Sequence, residues 1–367
     1  MLFYDASHKL KSVTPDSVHR QFDGNMPMAT GSELRPLFAI CQILGALPVN
    51  SRFKYSQILW LWSFLVIGIF NVAVLTVQVY GVILNWGVWD MIRIVLQIVT
   101  RVIRFFTTTS HLYVLVRKRR LHTKILNTIS VANLSAMNLY YKGVFVLLLL
   151  GSVCSAYALL IYSDPNTVIM NLSSLVQFAQ IICILLLFCT YIEIANSEIA
   201  KNTESLREYY RINWIVDRHL TRLQYLRSCN KFFNLQLFLT HAFLTYYFVY
   251  SCFTIVTQLG NKNYVLLVAY VCFHSTCLFS ILLVNRACQD SATEAEKFNA
   301  ELFRLMRENQ ELCKNEKLQL YVTMKQTVNF TACGFFTLGY PLVTSIIAAA
   351  TTYLVILVQF SMPPSKT

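Results

Sequence analysis

Residues 326–365 run forty positions without a charged side chain, and five other uncharged apolar stretches precede them, at 56–80, 143–163, 165–192, 232–261 and 263–285. A helix needs about 20 such residues to cross a bilayer, where its backbone must satisfy every hydrogen bond internally. Only 13% of the chain is charged and 56% is hydrophobic, against roughly 25% charged in a water-soluble domain. The expected fold class is an all-α membrane protein. A further apolar stretch, 91–116, carries Arg93, Arg101 and Arg104. The stretch 326–365 is too long for one span, and Gly334, Gly339 and Pro341 interrupt it. This predicts a helix ending around Phe336 and a spanning helix over about 342–360. Seven transmembrane helices result, the first six over about 56–80, 91–116, 143–163, 168–192, 235–258 and 263–285. Residues 36–51 hold only 16 uncharged positions, with Gly45 and Pro48 among them, and read as a short interfacial or re-entrant helix. No apolar signal segment opens the chain, so the first span is expected to direct insertion.

The basic residues set the orientation. Residues 1–55 hold six Lys or Arg, 117–142 six, 196–231 seven and 286–325 seven, while the alternate loops and the tail hold only Lys262 and Lys366. Cytosolic loops are the basic ones, so the N-terminus is expected inside and the C-terminus outside. A G-protein-coupled receptor has the reverse orientation and is excluded. The net charge of +13 is then an orientation signal and an attraction to anionic lipids of the plasma membrane, with no nucleic-acid partner implied. "RKRR" at Arg117–Arg120 reads as a stop-transfer anchor.

No catalytic or metal-binding motif of the kinds HExxH, GxSxG, CxxC or a phosphate-cradling glycine loop occurs, and no enzyme activity or cofactor is implied. The eleven cysteines fall in spans or cytosolic segments, where no structural disulfide is expected. Sequons at Asn133 and Asn329 fall on the cytosolic side, and the one at Asn171 lies beside the bilayer. Residues 290–318 contain no Pro or Gly, and Phe298, Leu302, Leu305 and Leu312 line one face. An amphipathic helix prolonging the sixth span is predicted, its stripe either lying over a loop or contacting another subunit.

Arg101 and Arg104 stand a third to a half of the way through the second span, where a charge costs several kcal/mol unless paired or hydrated. They are expected to serve structural pairing or a ligand. Polar and aromatic residues gather in the outer halves of other spans: Tyr157 and Tyr162, Gln177 and Gln180, Tyr246, Tyr247 and Tyr250, Tyr264 and Tyr270. Tyr162 and Tyr264 suit an interfacial belt. Tyr157, Gln177, Tyr246, Tyr247, Tyr250 and Tyr270 are ligand-site candidates, with His274 among the lone intramembrane histidines, because small-molecule sites combine apolar walls with few polar groups.

The final span contains "TYLVILVQF", Thr352 to Phe360. On this helix Ala348, Thr352, Val355 and Gln359 form one small or polar stripe, suited to a water-filled pore or to close helix packing. The stretch closely resembles the signature of insect gustatory receptors, Thr-Tyr, five hydrophobic residues, Gln-Phe, which closes their seventh span. Chain length, orientation, the early "GALP" piece and a Cys333–Gly334 pair before the last helix extend the resemblance over the whole chain. It implies a ligand-gated cation channel for small-molecule tastants in sensory neurons, assembled as a homo- or heterotetramer with the last helices around one pore. In those terms 1–55 is a cytosolic N-terminus, 56–285 a ligand-binding bundle, 286–338 the cytosolic helices of an anchor domain and 339–367 the pore helix and outer tail. Gln359 and Phe360 resemble the gate, and Thr352 and Tyr353 the pair that seats the helix against its neighbours. Sugar-sensing members carry an acid after the motif tyrosine, where this chain has Leu354, so bitter or contact-pheromone cues are expected instead. The alternatives weighed are an odorant-receptor-like channel subunit and a secondary transporter, which would show inverted repeats.

Overall fold

The computed structural model describes residues 35–50, 54–84, 91–129, 165–206, 212–261, 264–324 and 326–361. Its elements are α1 (Arg35–Ile43), α2 (Gln57–Ser63), a π-helical turn (Phe64–Ile69) running into α3 (Phe70–Leu84), α4 (Met91–Arg117) and α5 (Arg119–Ile129). There follow α6 (Pro165–Ser205), α7 (Ile212–Asn261), α8 (Tyr264–Glu308), α9 (Gln310–Cys313), α10 (Glu316–Thr323), a two-stranded hairpin of β1 (Thr331–Ala332) and β2 (Phe336–Thr337), and α11 (Tyr340–Ser361). The span expected at 143–163 lies outside the described residues.

Helix α6 starts on Pro165, whose fixed φ and missing N–H suit a first helical position. Its apolar residues face all directions, and a helix apolar all round belongs in an interior. Ile181 to Ile192 are accordingly buried without a break, enclosed by α1, α3, α4, α7 and α8. Among the described residues three stretches are long and apolar enough to cross a membrane, Gln57–Gly81, Ser174–Ser205 and Ile212–Ile255, with Tyr340–Ile356 a shorter apolar helix.

Helices α6, α7 and α8 outrun the apolar stretches read from sequence. Their polar ends build a second core, in which Ile212, Ile215 and Val216 of α7 meet Phe298, Leu302 and Leu305 of α8 and Leu318 and Tyr321 of α10. The stripe on 290–318 is therefore covered largely by its own chain. Glu198 of α6 fixes the polar side of this region, its carboxylate 8% exposed and held by Arg218 at 2.7 Å, Lys201 at 3.4 Å and Arg222 at 3.5 Å.

Two segments differ in detail from the sequence reading. Residues 36–50 give the expected short helix, α1, and then a buried turn. Gly45 stands at φ +74°, the Ala46 carbonyl meets His111 Nε2 at 2.9 Å, and the Leu44 carbonyl accepts from Gln180 Nε2 at 3.3 Å. The second departure is a correction. No helix continues to Phe336: α10 closes at Thr323, and the chain doubles back with Thr331 opposite Thr337 and Ala332 opposite Phe336. Cys333 and Gly334 form the turn, both at positive φ (51° and 78°), with Phe335 N–H donating to the Ala332 carbonyl at 3.0 Å. Such a turn matches the natural twist of paired strands, and the uncharged sequence concealed it because its apolar members Val328, Phe330 and Ala332 are buried.

Candidate functional site

Helix α4 presents Arg101 and Arg104 one turn apart on one face. Arg101 Nη2 donates to Gln97 Oε1 at 2.9 Å. Arg104 is only 6% exposed. Its Cζ lies 5.8 Å from the centre of the Phe243 ring, and Tyr247, Tyr250 and Cys277 complete its electrostatic surroundings. Its Nε and Nη1 have no hydrogen-bond partner among the described residues.

Phe243, Tyr247 and Tyr250 recur at steps of four and three along α7 and so form one aromatic face. Tyr247 lies 5.7 Å from Phe243, 6.0 Å from Tyr250 and 5.8 Å from Phe178 of α6, measured between ring centres. Offset and tilted pairs of this kind are favoured by the ring quadrupoles. Tyr246 pins the same helix to α4, its hydroxyl donating to the Leu96 carbonyl at 2.6 Å.

The other candidates separate from this cluster. Gln177 is buried and donates through Nε2 to Asn71 Oδ1 at 2.7 Å, while Asn71 Nδ2 reaches the Ile67 carbonyl at 2.8 Å and Gln180 Oε1 at 3.4 Å. This amide network joins α3 to α6 beside the π-helical turn. His274 of α8 meets Ser251 Oγ at 2.9 Å through Nδ1 and stacks on Phe248 at 4.3 Å, around α7 from the tyrosine face. Tyr270 lies in α8, and Tyr157 falls outside the described residues. Phe178, Phe243 and Asn71 were missed in the sequence. Asn71 had a signal, an amide within an apolar span; the two phenylalanines had none, since they resemble core residues.

A buried linkage joins this bundle to the last helix. His241 Nδ1 donates to the Leu237 carbonyl at 2.8 Å, a tautomer that leaves Nε2 to accept from Asn285 Nδ2 at 3.3 Å. Asn285 Oδ1 in turn accepts the N–H of Gly339, immediately before α11, at 2.8 Å. Asn285 and His241 were not singled out as a pair in the sequence.

Helix α11 packs on α7 and α8 through Val343, Ile346 and Ala350, which are buried. At 3.6 residues per turn the stripe Ala348, Thr352, Val355 and Gln359 points about 175° away from that packed face. All four are exposed. Tyr353 is 61% exposed and makes little contact within its own chain. Phe360 occupies the penultimate position of the helix.

A family model described as 7tm chemosensory receptor matches residues 34–363. The gustatory and pheromone receptor 32a of Drosophila melanogaster is 32% identical over 155 residues, 40% of this chain and 32% of that protein, so the match spans about a third of the relative's length. The structure of the insect olfactory receptor OR5 from Machilis hrabei aligns with a TM-score of 0.60 at 13% identity, covering 89% of this chain and 98% of that one. The same receptor in complex with eugenol aligns at 0.63 with 12% identity and the same coverage. At such identity the likeness concerns the fold.

Proposed function

The chain belongs to the 7tm chemosensory receptor family, which is not an enzyme family, and on that premise we propose that it is a gustatory receptor subunit of a ligand-gated cation channel. A small tastant of the bitter or contact-pheromone type is detected at the plasma membrane of sensory neurons. It binds among α4, α6 and α7, and four subunits, identical or mixed, place their α11 helices around one pore. The N-terminus is cytosolic and the C-terminus outside.

The observation that carries the channel reading is the opposition of two faces on α11. One stripe is buried against its own bundle, while the small and polar stripe from Ala348 to Gln359 is exposed among the described residues. Facing copies of itself around an axis, it would line a pore of modest polarity, with Gln359 and Phe360 at its outer end as the constriction. The gustatory assignment is supported by the Thr352–Phe360 signature and by the Drosophila relative; the olfactory likeness is one of fold. Ligand binding opens the pore only to the extent that it favours the open arrangement.

Expressed in cells with candidate partner receptors, Val355→Cys should become sensitive to thiol reagents during tastant-evoked current and resist them at rest. Gln359→Ala and Phe360→Ala should raise ligand-independent current or change cation selectivity. Wild-type gating and permeability in both, at normal surface levels, would assign the stripe to packing and end the pore reading.

A further inference from the structure

Among the described residues, Arg104 is a buried cation without a counter-charge. The Phe243 ring lies 5.8 Å from it and Tyr247, Tyr250 and Cys277 act on it electrostatically, with no carboxylate pairing to it among the described residues. Two of its three guanidinium nitrogens, Nε and Nη1, are enclosed and have no hydrogen-bond partner among the described residues. Buried charges in proteins are otherwise paired or hydrogen-bonded, because an unpaired one forfeits its hydration without return. A ring 5.8 Å away offsets little of that loss. Arg101, one turn earlier, adds a second positive charge to the same face.

We propose that the ligand of this site is a small organic carboxylate, its oxygens held by Arg104 Nε and Nη1 and its apolar body laid against Phe243, Tyr247 and Phe178. The assignment rests on the reading of the α4–α6–α7 cluster as the ligand site. A neutral carbonyl or hydroxyl would satisfy a donor and leave the charge uncompensated, whereas a carboxylate answers both through charge-assisted hydrogen bonds. The aromatic face suits the rest of such a molecule. Phe243 and Phe178 offer rings without polar atoms, suited to stacked or tilted contacts with an aromatic or alkyl tail. Specificity then arises because the uncharged analogue leaves Arg104 unpaired.

The test compares 4-phenylbutyrate with 4-phenylbutanol at pH 7.5, on the full-length protein in nanodiscs of zwitterionic lipid, by saturable binding. The acid should bind at least about tenfold more tightly than the alcohol, as loss of one partner from a charged pair demands. In Arg104→Gln the ratio should fall to near one, and Arg104→Lys should retain part of it. Equal affinity for acid and alcohol in the wild type overturns the assignment, as does an acid preference that survives in Arg104→Gln. Should Arg104→Gln not yield folded protein, the wild-type ratio and the Arg104→Lys variant decide. Binding is read without current, so acid-selective binding accompanied by no evoked current would overturn the channel reading and leave the carboxylate assignment standing.

Discussion

Replacing Asn285 by alanine should loosen the start of the last helix. The side chain is completely buried and makes three bonds. Its Oδ1 takes the Gly339 N–H at 2.8 Å, and its Nδ2 gives to the Ile281 carbonyl at 2.8 Å and to His241 Nε2 at 3.3 Å. The Ile281 carbonyl keeps its helical partner when the amide is removed. Gly339 N–H and His241 Nε2 do not, and each orphaned buried group costs about 1–3 kcal/mol. Hydrogen bonds within membrane bundles sit at the lower end of that range, so a total of about 2–4 kcal/mol is expected. For a chain of 367 residues this corresponds to a fall of roughly 3–5 °C in melting midpoint. The assay is the thermal unfolding of purified wild type, Asn285→Ala and Asn285→Asp in one detergent at one scan rate, together with resting current in expressing cells. Asn285→Asp keeps an acceptor for Gly339 and should restore part of the loss. Because Gly339 directly precedes α11, Asn285→Ala should also change the resting open fraction. A melting midpoint within about 1 °C of wild type, combined with unchanged resting current, would show that this linkage does not fix the helix and would refute the reasoning.

Glu198→Gln should destabilise the polar ends of α6 and α7 by about 3 kcal/mol, because it strands Arg222, only 14% exposed, beside Arg218; a melting curve matching wild type would contradict this. His122 of α5 is buried between Tyr55 and Tyr191, 2.6 and 3.2 Å from their hydroxyls, and stacks on Phe232 at 4.5 Å. Burial, with His111 adding to it, pushes its pKa down to about 3. A depressed histidine stabilises the fold above its unfolded value near 6.5 and loses that stability as pH falls towards 3, so about 2 kcal/mol should be lost by pH 5. His122→Gln should flatten the pH dependence of unfolding between pH 7.5 and 5, and an unaltered slope would discount His122 as its source. An epitope after Phe360 should label on intact cells and one before Ser56 only after permeabilisation; the reverse pattern would invert the topology read from the basic loops.

The class of this protein was legible because the bilayer acts on composition and length. Uncharged runs of about 20 residues and a concentration of lysines and arginines in alternate loops are properties of the chain taken in order. The stripe Ala348, Thr352, Val355 and Gln359 was legible for a related reason. A stripe on one helix is defined by spacing alone, and the packed face of α11 proved to lie opposite it. Arg104 could be singled out as a charge too deep to be ignored, yet nothing in its sequence context said that Phe243 would lie beside it or that two of its nitrogens would stay unbonded.

What only the tertiary structure decided are pairings between residues far apart in the chain. Asn71 with Gln177, His241 with Asn285, and Asn285 with Gly339 join groups that each look ordinary alone. The hairpin at 331–337 escaped a helix-minded reading because burial, and not charge, holds its apolar residues. Periodicity reports which face of a helix is apolar, while the identity of the neighbour across that face is settled by how the long helices cross. That crossing depends on the shapes of many side chains at once. The sequence thus determined what kind of solvent surrounds this protein and which stripe of its last helix differs from the rest; packing alone chose the aromatic wall, the uncompensated arginine and the amide that ties the bundle to the final helix.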